Sequence, residues 1–472
     1  MKVGQCKRCW MTRAVVLVSA GLSLSAAVAA EKSVTFKDDD GTVFWTEAVK
    51  DGECAFPPAD PVRFGCDFAG WSDGSQVKSY AEIDRLPVTA ATTWTATYRP
   101  RAERRLRVGI YSGPGSTGGS ALNCHRMMRT NPRIEYVSVQ TNRVQEGSVM
   151  DAIDMFLIPG GSTPAMYGQL GQSGRDNIAK FVREQGGRYF GICAGTAFQA
   201  NDRTGTHMGL APFKLTAQMT EGPVTVALTE KGQEIFGALG WDGSVDNRIC
   251  YSKSPIMSDA PAGFKPGTYH FDVVGTYKSG LGKGFLGRYA MVVGTNRLGR
   301  LFLTAPHPEV YESSRKFITT GIRWLFNEGV VKPGDTAEEL RRISTGLVFT
   351  LPTNKVGALK VAFGPPTFRE CGAEELLPLM AAIDQHPDYV LTPQKVESGK
   401  GKGKPVDLSA YDVLVVPVRH PAYRPDGAKY AKSAIPAFVA AGGRVLYADD
   451  GPEAVLRGLR ELAAARKAKM IQ

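Results

Sequence analysis

The chain has 472 residues, 43% of them hydrophobic and 22% charged, with a formal net charge of +11. That mixture excludes a disordered or collagenous chain and gives room for two or three globular domains. Four cations near the start (Lys2, Lys7, Arg8 and Arg13) have no acidic counterpart within the first 30 residues, so the remainder carries 11 − 4 = +7, scattered too widely for a nucleic-acid-binding face.

Those cations precede an apolar run, Ala14 to Leu24, and then Ser25-Ala26-Ala27-Val28-Ala29-Ala30. The pattern predicts a signal peptide over residues 1–30, with an A-x-A-like site near Ala29 or Ala30. The apolar run is too short to span a bilayer, so no transmembrane span is expected after its removal. The expected location is secreted or periplasmic, at the cell envelope. Cys6 and Cys9 would leave with the leader, and six cysteines remain: Cys54, Cys66, Cys124, Cys193, Cys250 and Cys371. Export permits disulfides, and Cys54 with Cys66 is the expected pair.

Residues 31–100 read as a β module. Ser33 to Phe36 is a strand, Asp39-Asp40-Gly41-Thr42 a turn, and Val88 to Tyr98 a closing strand. A domain this small needs its aromatics as core. It is expected to serve as a spacer or to contact an envelope partner. A charged linker follows. Leu106 to Tyr111 then opens a run of alternating strands and helices, continued by Glu135 to Val139, Asp154 to Ile158, a helix over 175–184 and Tyr189 to Ile192. Such alternation predicts a parallel sheet with helices on both faces and functional loops at the carboxyl ends of the strands. The glycine-rich loop after Tyr111 lacks the Gly-Lys-Ser/Thr of a phosphate loop, and Ser112 and Gly113 are assigned instead to a substrate-binding rim.

The stretch Gly191-Ile192-Cys193-Ala194-Gly195 is a strand that breaks into a helix inside a small-residue frame, the nucleophile-elbow pattern. A helix N-terminus behind Cys193 favours its thiolate. His307 and Glu309, two apart in Ala305-Pro306-His307-Pro308-Glu309, point the same way in extended backbone and supply a base and the carboxylate that orients it. Gly160 or Gly161, beside Ala194, offers backbone N–H groups for an oxyanion hole. Between elbow and histidine, residues 207–277 turn β-rich, and Cys250-Tyr251-Ser252 reads there as a strand. No His, Cys, Asp and Glu spacing suggests a metal site, and no cofactor is expected.

At these motifs, over residues 105–327, the chain resembles the class I glutamine amidotransferase-like superfamily, and most of all the biotin-protein ligase N-terminal domain. The resemblance implies a flavodoxin-like sheet with Cys193 as nucleophile, His307 as base and Glu309 as orienter, and with Tyr251 in the wall of the substrate pocket. Glutamine-hydrolysing members carry Gln four residues after the cysteine, where this chain has Ala197. No ATP- or biotin-binding motif of a ligase catalytic domain occurs. The closing Trp94-x-Ala96-x-Tyr98 and Gly70-Trp71 of the first module resemble an internalin-type B repeat, a β-grasp-like fold.

After a linker at 328–356, residues 357–472 repeat the earlier order: Leu359 to Pro365 echoes Leu106 to Pro114, and Phe438 to Arg444 echoes Phe181 to Arg188. Aligning the Gly-Gly-Arg triplets places Asp449 opposite Cys193, so the repeat is an α/β half-copy without the thiol. Two functions follow: a cysteine-dependent hydrolase acting on an amide or acyl bond of a small molecule or peptide, or a non-catalytic ligand-binding or envelope-associated protein that retains the three residues.

Overall fold

The computed structural model describes residues 31–200, 207–217, 220–241, 248–259, 269–279, 282–349, 355, 357–364, 377–393, 407–416 and 424–471. Residues 1–30, where a signal peptide is expected, and Cys371 lie outside them.

The first module is a five-stranded sheet in the order Val43–Lys50, Glu31–Lys37, Thr92–Pro100, Cys66–Ser72, Val77–Lys78. Glu31–Lys37 runs parallel to Thr92–Pro100, and the other pairs are antiparallel. A one-turn helix, Tyr80–Ile83, also belongs to it, started by a Ser79–Glu82 capping box. Alternation buries Val34, Phe36, Trp45, Trp71 and Trp94 on one face. Trp71 takes Phe36 edge-on at 5.2 Å. The expected Cys54–Cys66 disulfide is not formed: both thiols are free, Cys54 bridging to Pro87 while Cys66 opens a strand.

The central sheet has eleven strands among the described residues. Five are parallel, in the order Gly299–Thr304, Arg188–Ile192, Met155–Ile158, Leu106–Tyr111, Ile134–Val139. The first four are almost wholly buried, as near-continuous apolar strands covered on both faces must be, while the edge strand Ile134–Val139 is buried at three of its six positions. The rest form an antiparallel extension beyond Gly299–Thr304, running through Tyr289–Asn296, Tyr269–Ser279, Glu221–Leu228 and Arg248–Ser252. The helix expected over 175–184 is the second half of a longer one, Thr163–Arg183, broken where Gly171 takes φ 60°. The 328–356 stretch contains a helix of its own, Ala337–Thr345, which Thr336 caps. Its Leu340 and Ile343 are one turn apart and join the central core.

The C-terminal sheet has four parallel strands in the order Tyr389–Pro393, Leu359–Phe363, Val413–Val416, Arg444–Tyr447. The first four strands of the central domain have that same second-first-third-fourth order. Their connecting hydrogen bonds recur too. Arg107 N–H donates to Asp154 Oδ2 at 2.8 Å, and Lys360 N–H to Asp412 Oδ2 at 2.8 Å. Gly187 N–H reaches Phe181 O at 2.8 Å, and Gly443 N–H reaches Phe438 O at 2.9 Å.

The helices that follow the first strand of each sheet, Gly118–Arg129 and Leu377–Gln385, pack on one another. Asp384 is buried between them with Arg126 at 3.1 Å and with Arg129. The first module closes on the same unit: Arg460 of the final helix donates to Ala55 O at 3.2 Å and to Asp84 at 2.9 Å. His386 meets Asp84 at 3.1 Å.

Candidate active site

Cys193 sits at the carboxyl end of Arg188–Ile192, with φ 51° and ψ −105°. A non-glycine residue in that region is strained and persists only where its surroundings over-determine it. Three contacts do so. Cys193 N–H donates to Thr304 O at 2.9 Å, Ala197 N–H returns to Cys193 O at 2.9 Å, and Thr196 Oγ1 donates to Gly191 O at 2.8 Å. No larger residue fits at 195, because a Cβ there would lie 2.0 Å from Ile158 O.

His307 follows the neighbouring strand Gly299–Thr304, parallel to the elbow strand. Its backbone is fixed from the far side, where its N–H donates to Cys250 O at 2.7 Å. His307 Nδ1 meets Glu309 Oε1 at 2.8 Å, and Ser120 Oγ donates to that same oxygen at 2.6 Å. Ser120 in turn accepts Gly160 N–H at 2.9 Å. This one hydroxyl therefore ties together the helix after the first strand, the Pro159-Gly160-Gly161 turn and the carboxylate. The three residues Cys193, His307 and Glu309 are brought together as one cluster, and all are buried.

Burial opposes a charged sulfur. The His307 charge outweighs it, together with hydrogen bonds from His307 and Ser254, and holds the Cys193 thiol below its ordinary range. Burial likewise opposes a charged imidazole, and the Cys193 and Glu309 charges overcome it, raising His307 well above its usual value. The two shifts agree on a thiolate–imidazolium pair. Cys124, buried in the core and facing the Glu309 charge, moves the other way, well above an ordinary thiol.

Gly160 N–H is committed to Ser120, which leaves Gly161 and Ala194 as the N–H groups without a protein acceptor among the described residues. The close approach also explains the glycine: a Cβ on residue 160 would lie 2.5 Å from His307 Cε1. On the loop, the Ser112 hydroxyl is committed to Ile110 O and His125 Nε2, both at 3.1 Å. Gly113 O accepts both the N–H and the hydroxyl of Ser116. What this loop can offer a substrate is therefore backbone, not the Ser112 side chain. Tyr251 is buried near the sulfur, packed edge-on against Tyr277 at 6.1 Å and Phe285 at 4.8 Å. Ser120 and Ser254 escaped the sequence reading as site residues, since a serine carries no pattern and both are placed by tertiary register. Among the described residues, no group of three or more His, Cys, Asp or Glu could hold a metal ion, and no helix is long and apolar enough to cross a membrane.

Residues 106–209 match the family model described as "Biotin-protein ligase, N terminal". That span holds four of the parallel strands and the elbow, and ends before His307. With the observed sheet, it defines an amidotransferase-like α/β fold. The CTP synthase of Acinetobacter baylyi (strain ATCC 33305 / BD413 / ADP1) is 31% identical over 117 residues, which are 24% of this chain and only 21% of that protein. A glutamine amidotransferase from Thermotoga maritima superposes with a TM-score of 0.30 at 12% identity, over 52% of this chain and 95% of its own. A β-galactosidase from Bacillus circulans sp. alkalophilus gives 0.28 at 11% identity, over 43% and 26%. Neither superposition is close enough to bear on activity.

Proposed function

We propose that the protein is an exported, cysteine-dependent hydrolase of amidotransferase-like fold, acting on an amide or acyl bond of a small molecule or peptide. One observation carries this reading: Cys193 is buried where the His307 charge lowers its thiol, and His307 Nδ1 is held on Glu309 Oε1 at 2.8 Å. The Cys193 thiolate attacks the acyl carbon, and the Gly161 and Ala194 N–H groups receive the developing oxyanion. The C–N or C–O bond then breaks, and the leaving group takes the proton that His307 holds. Water, deprotonated by His307, cleaves the thioester and regenerates the thiolate. Glu309 keeps the imidazole oriented throughout. Export adds a prediction of its own, an N-terminus that starts near residue 31 in the mature protein, read by N-terminal sequencing.

Iodoacetamide labelling followed by mass spectrometry tests the site. The expected result is that Cys193 alkylates far faster than Cys124 at neutral pH and that Cys193→Ala abolishes turnover of a small amide or ester panel. Equal rates for the two thiols overturn the reading. A second reading, a ligand-binding protein that retains the three residues, is favoured by the near closure of the site, where Cys193 is only 5% exposed, and by Ala197. An activated Cys193 that binds panel members stoichiometrically without releasing product would select it.

A further inference from the structure

We propose that Ser120 is a positioning residue of this site: its hydroxyl fixes the Glu309 carboxylate in the orientation from which that carboxylate holds the His307 ring. The inference rests on Cys193 being the nucleophile. Ser120 lies in the first turn of Gly118–Arg129, 189 positions from Glu309 and outside the motifs that carry the thiol, the imidazole and the carboxylate.

The frame consists of hydrogen bonds between buried groups. One oxygen of Glu309, Oε1, takes two donors, Ser120 Oγ at 2.6 Å and His307 Nδ1 at 2.8 Å. The other, Oε2, is buried and has no partner among the described residues. A carboxylate held through one oxygen swings about whichever bond remains when the other is lost, so each donor fixes what its companion cannot.

The role of the Ser120 hydroxyl is set by its other contact. Gly160 N–H donates to Oγ at 2.9 Å, which leaves the single hydroxyl proton for Glu309. Gly160 is pinned in turn, since its carbonyl accepts the Thr117 N–H at 2.9 Å and the Thr117 hydroxyl at 3.1 Å. Thr117 and Ser120, one turn apart at the start of one helix, therefore hold residue 160 by both its carbonyl and its amide. A Cβ at that residue would lie 2.5 Å from His307 Cε1 and 3.2 Å from Ser120 Oγ. Glycine, serine and imidazole thus share one packed volume.

The titratable groups around this frame are few. His307, Glu309, Tyr251 and Tyr277 face the sulfur, and Cys124, one turn along the helix from Ser120, faces the carboxylate. Burial keeps both phenols and the Cys124 thiol neutral over the range where Cys193 titrates. On the sulfur, the imidazole charge outranks the opposing carboxylate charge. A carboxylate that drifts therefore acts mainly through the ring it no longer holds, and the thiol rises.

The test is the pH dependence of Cys193 alkylation by iodoacetamide in the full chain, read by mass spectrometry, with thermal unfolding as the control for folding. Ser120→Ala is expected to move the acid limb to higher pH and to slow alkylation about threefold on that limb. Ser120→Thr, which keeps a hydroxyl, is expected to return the limb towards the wild type. In a His307→Ala background, Ser120→Ala is expected to move the limb no further, because the ring through which it acts is gone. A low wild-type limb that Ser120→Ala leaves in place overturns the assignment. So does a further shift in the His307→Ala background, which would mark a general loosening of the elbow. A wild-type limb like that of an ordinary thiol overturns the nucleophile reading itself, and the assignment with it. Should Ser120→Ala not fold, Ser120→Cys keeps a side chain of similar size with a far weaker donor: a limb moved upward supports the assignment, and an unmoved limb overturns it.

Discussion

At the level of single residues, the site is an ion pair in a place that water barely reaches. Its pH behaviour follows from the directions of the two shifts. The thiol of Cys193 is held below its ordinary range, so its contribution is present at alkaline pH and is lost as pH falls through the lowered value. The imidazole of His307 is raised, so its contribution is present in acid and lost as pH rises through that raised value. Between the two lies the window in which the charged pair exists. His307→Ala removes the counter-charge and should move the acid limb of Cys193 alkylation towards that of a free thiol, slowing the reaction at least about tenfold at neutral pH. An unmoved limb would show that the imidazole does not set the sulfur's charge. Gly160→Ala should slow alkylation by the same route without unfolding the chain. The added Cβ lies 2.5 Å from the ring, a side chain that can turn away, and the loss is read as a displaced limb with an unchanged melting curve.

At the level of elements, legibility divided along a physical line. The elbow, the His307–Glu309 pair and the Gly160-Gly161 turn were readable because each is a local backbone event that demands particular residues: glycine where atoms crowd, proline where a strand must end. The alternating strands of the parallel sheet were readable from their apolar runs. The Ala337–Thr345 helix was hidden by the Gly-, Pro- and charge-rich residues around it, although Leu340, Ile343 and Leu347 have helical spacing and all three are buried. Ser120 was readable only as the end of the glycine-rich loop beside the site, not as the partner of Glu309, and Ser254 was not readable. Their importance comes from where distant segments bring them, and nothing in the flanking residues distinguishes them from surface serines. The Cys54–Cys66 pairing failed for a related reason: proximity in sequence within a small domain does not bring two side chains to bonding geometry.

At the level of the whole molecule, two α/β units of the same strand order meet through equivalent helices, in the way two subunits of a dimer would. Asp384 is the charged centre of that contact, buried against Arg126 and Arg129. Asp384→Asn would leave two guanidinium groups facing each other without an anion, and should cost about 3–5 kcal/mol in urea unfolding. A loss under about 1 kcal/mol would mean that water reaches the pair. Glu47, in the first module, supplies a second test. Burial raises its carboxyl from 4.5 to about 7, against the opposing hydrogen bond from Phe56 N–H and the nearby Arg460 charge. The folded chain therefore holds a proton there that the unfolded chain has released, and the associated stability is full below pH 4.5 and is lost as pH rises through about 7. Glu47→Gln keeps an acceptor for Phe56 and should stabilise the protein at pH 8 by on the order of 3 kcal/mol, with the slope between pH 5 and 8 flattened. An unchanged slope in denaturant titrations across that range would contradict it.

The grip of Arg460 on Ala55 and Asp84 has a consequence for biogenesis. A module translated early completes its packing on a helix translated some four hundred codons later, a separation of 376 positions between Arg460 and Asp84. Whatever apolar surface the module shows to that helix stays open throughout synthesis and must be shielded until the far segment arrives. Shortening the chain at its distal side should therefore harm the proximal module first, and the damage would show as aggregation of nascent protein well away from the thiol.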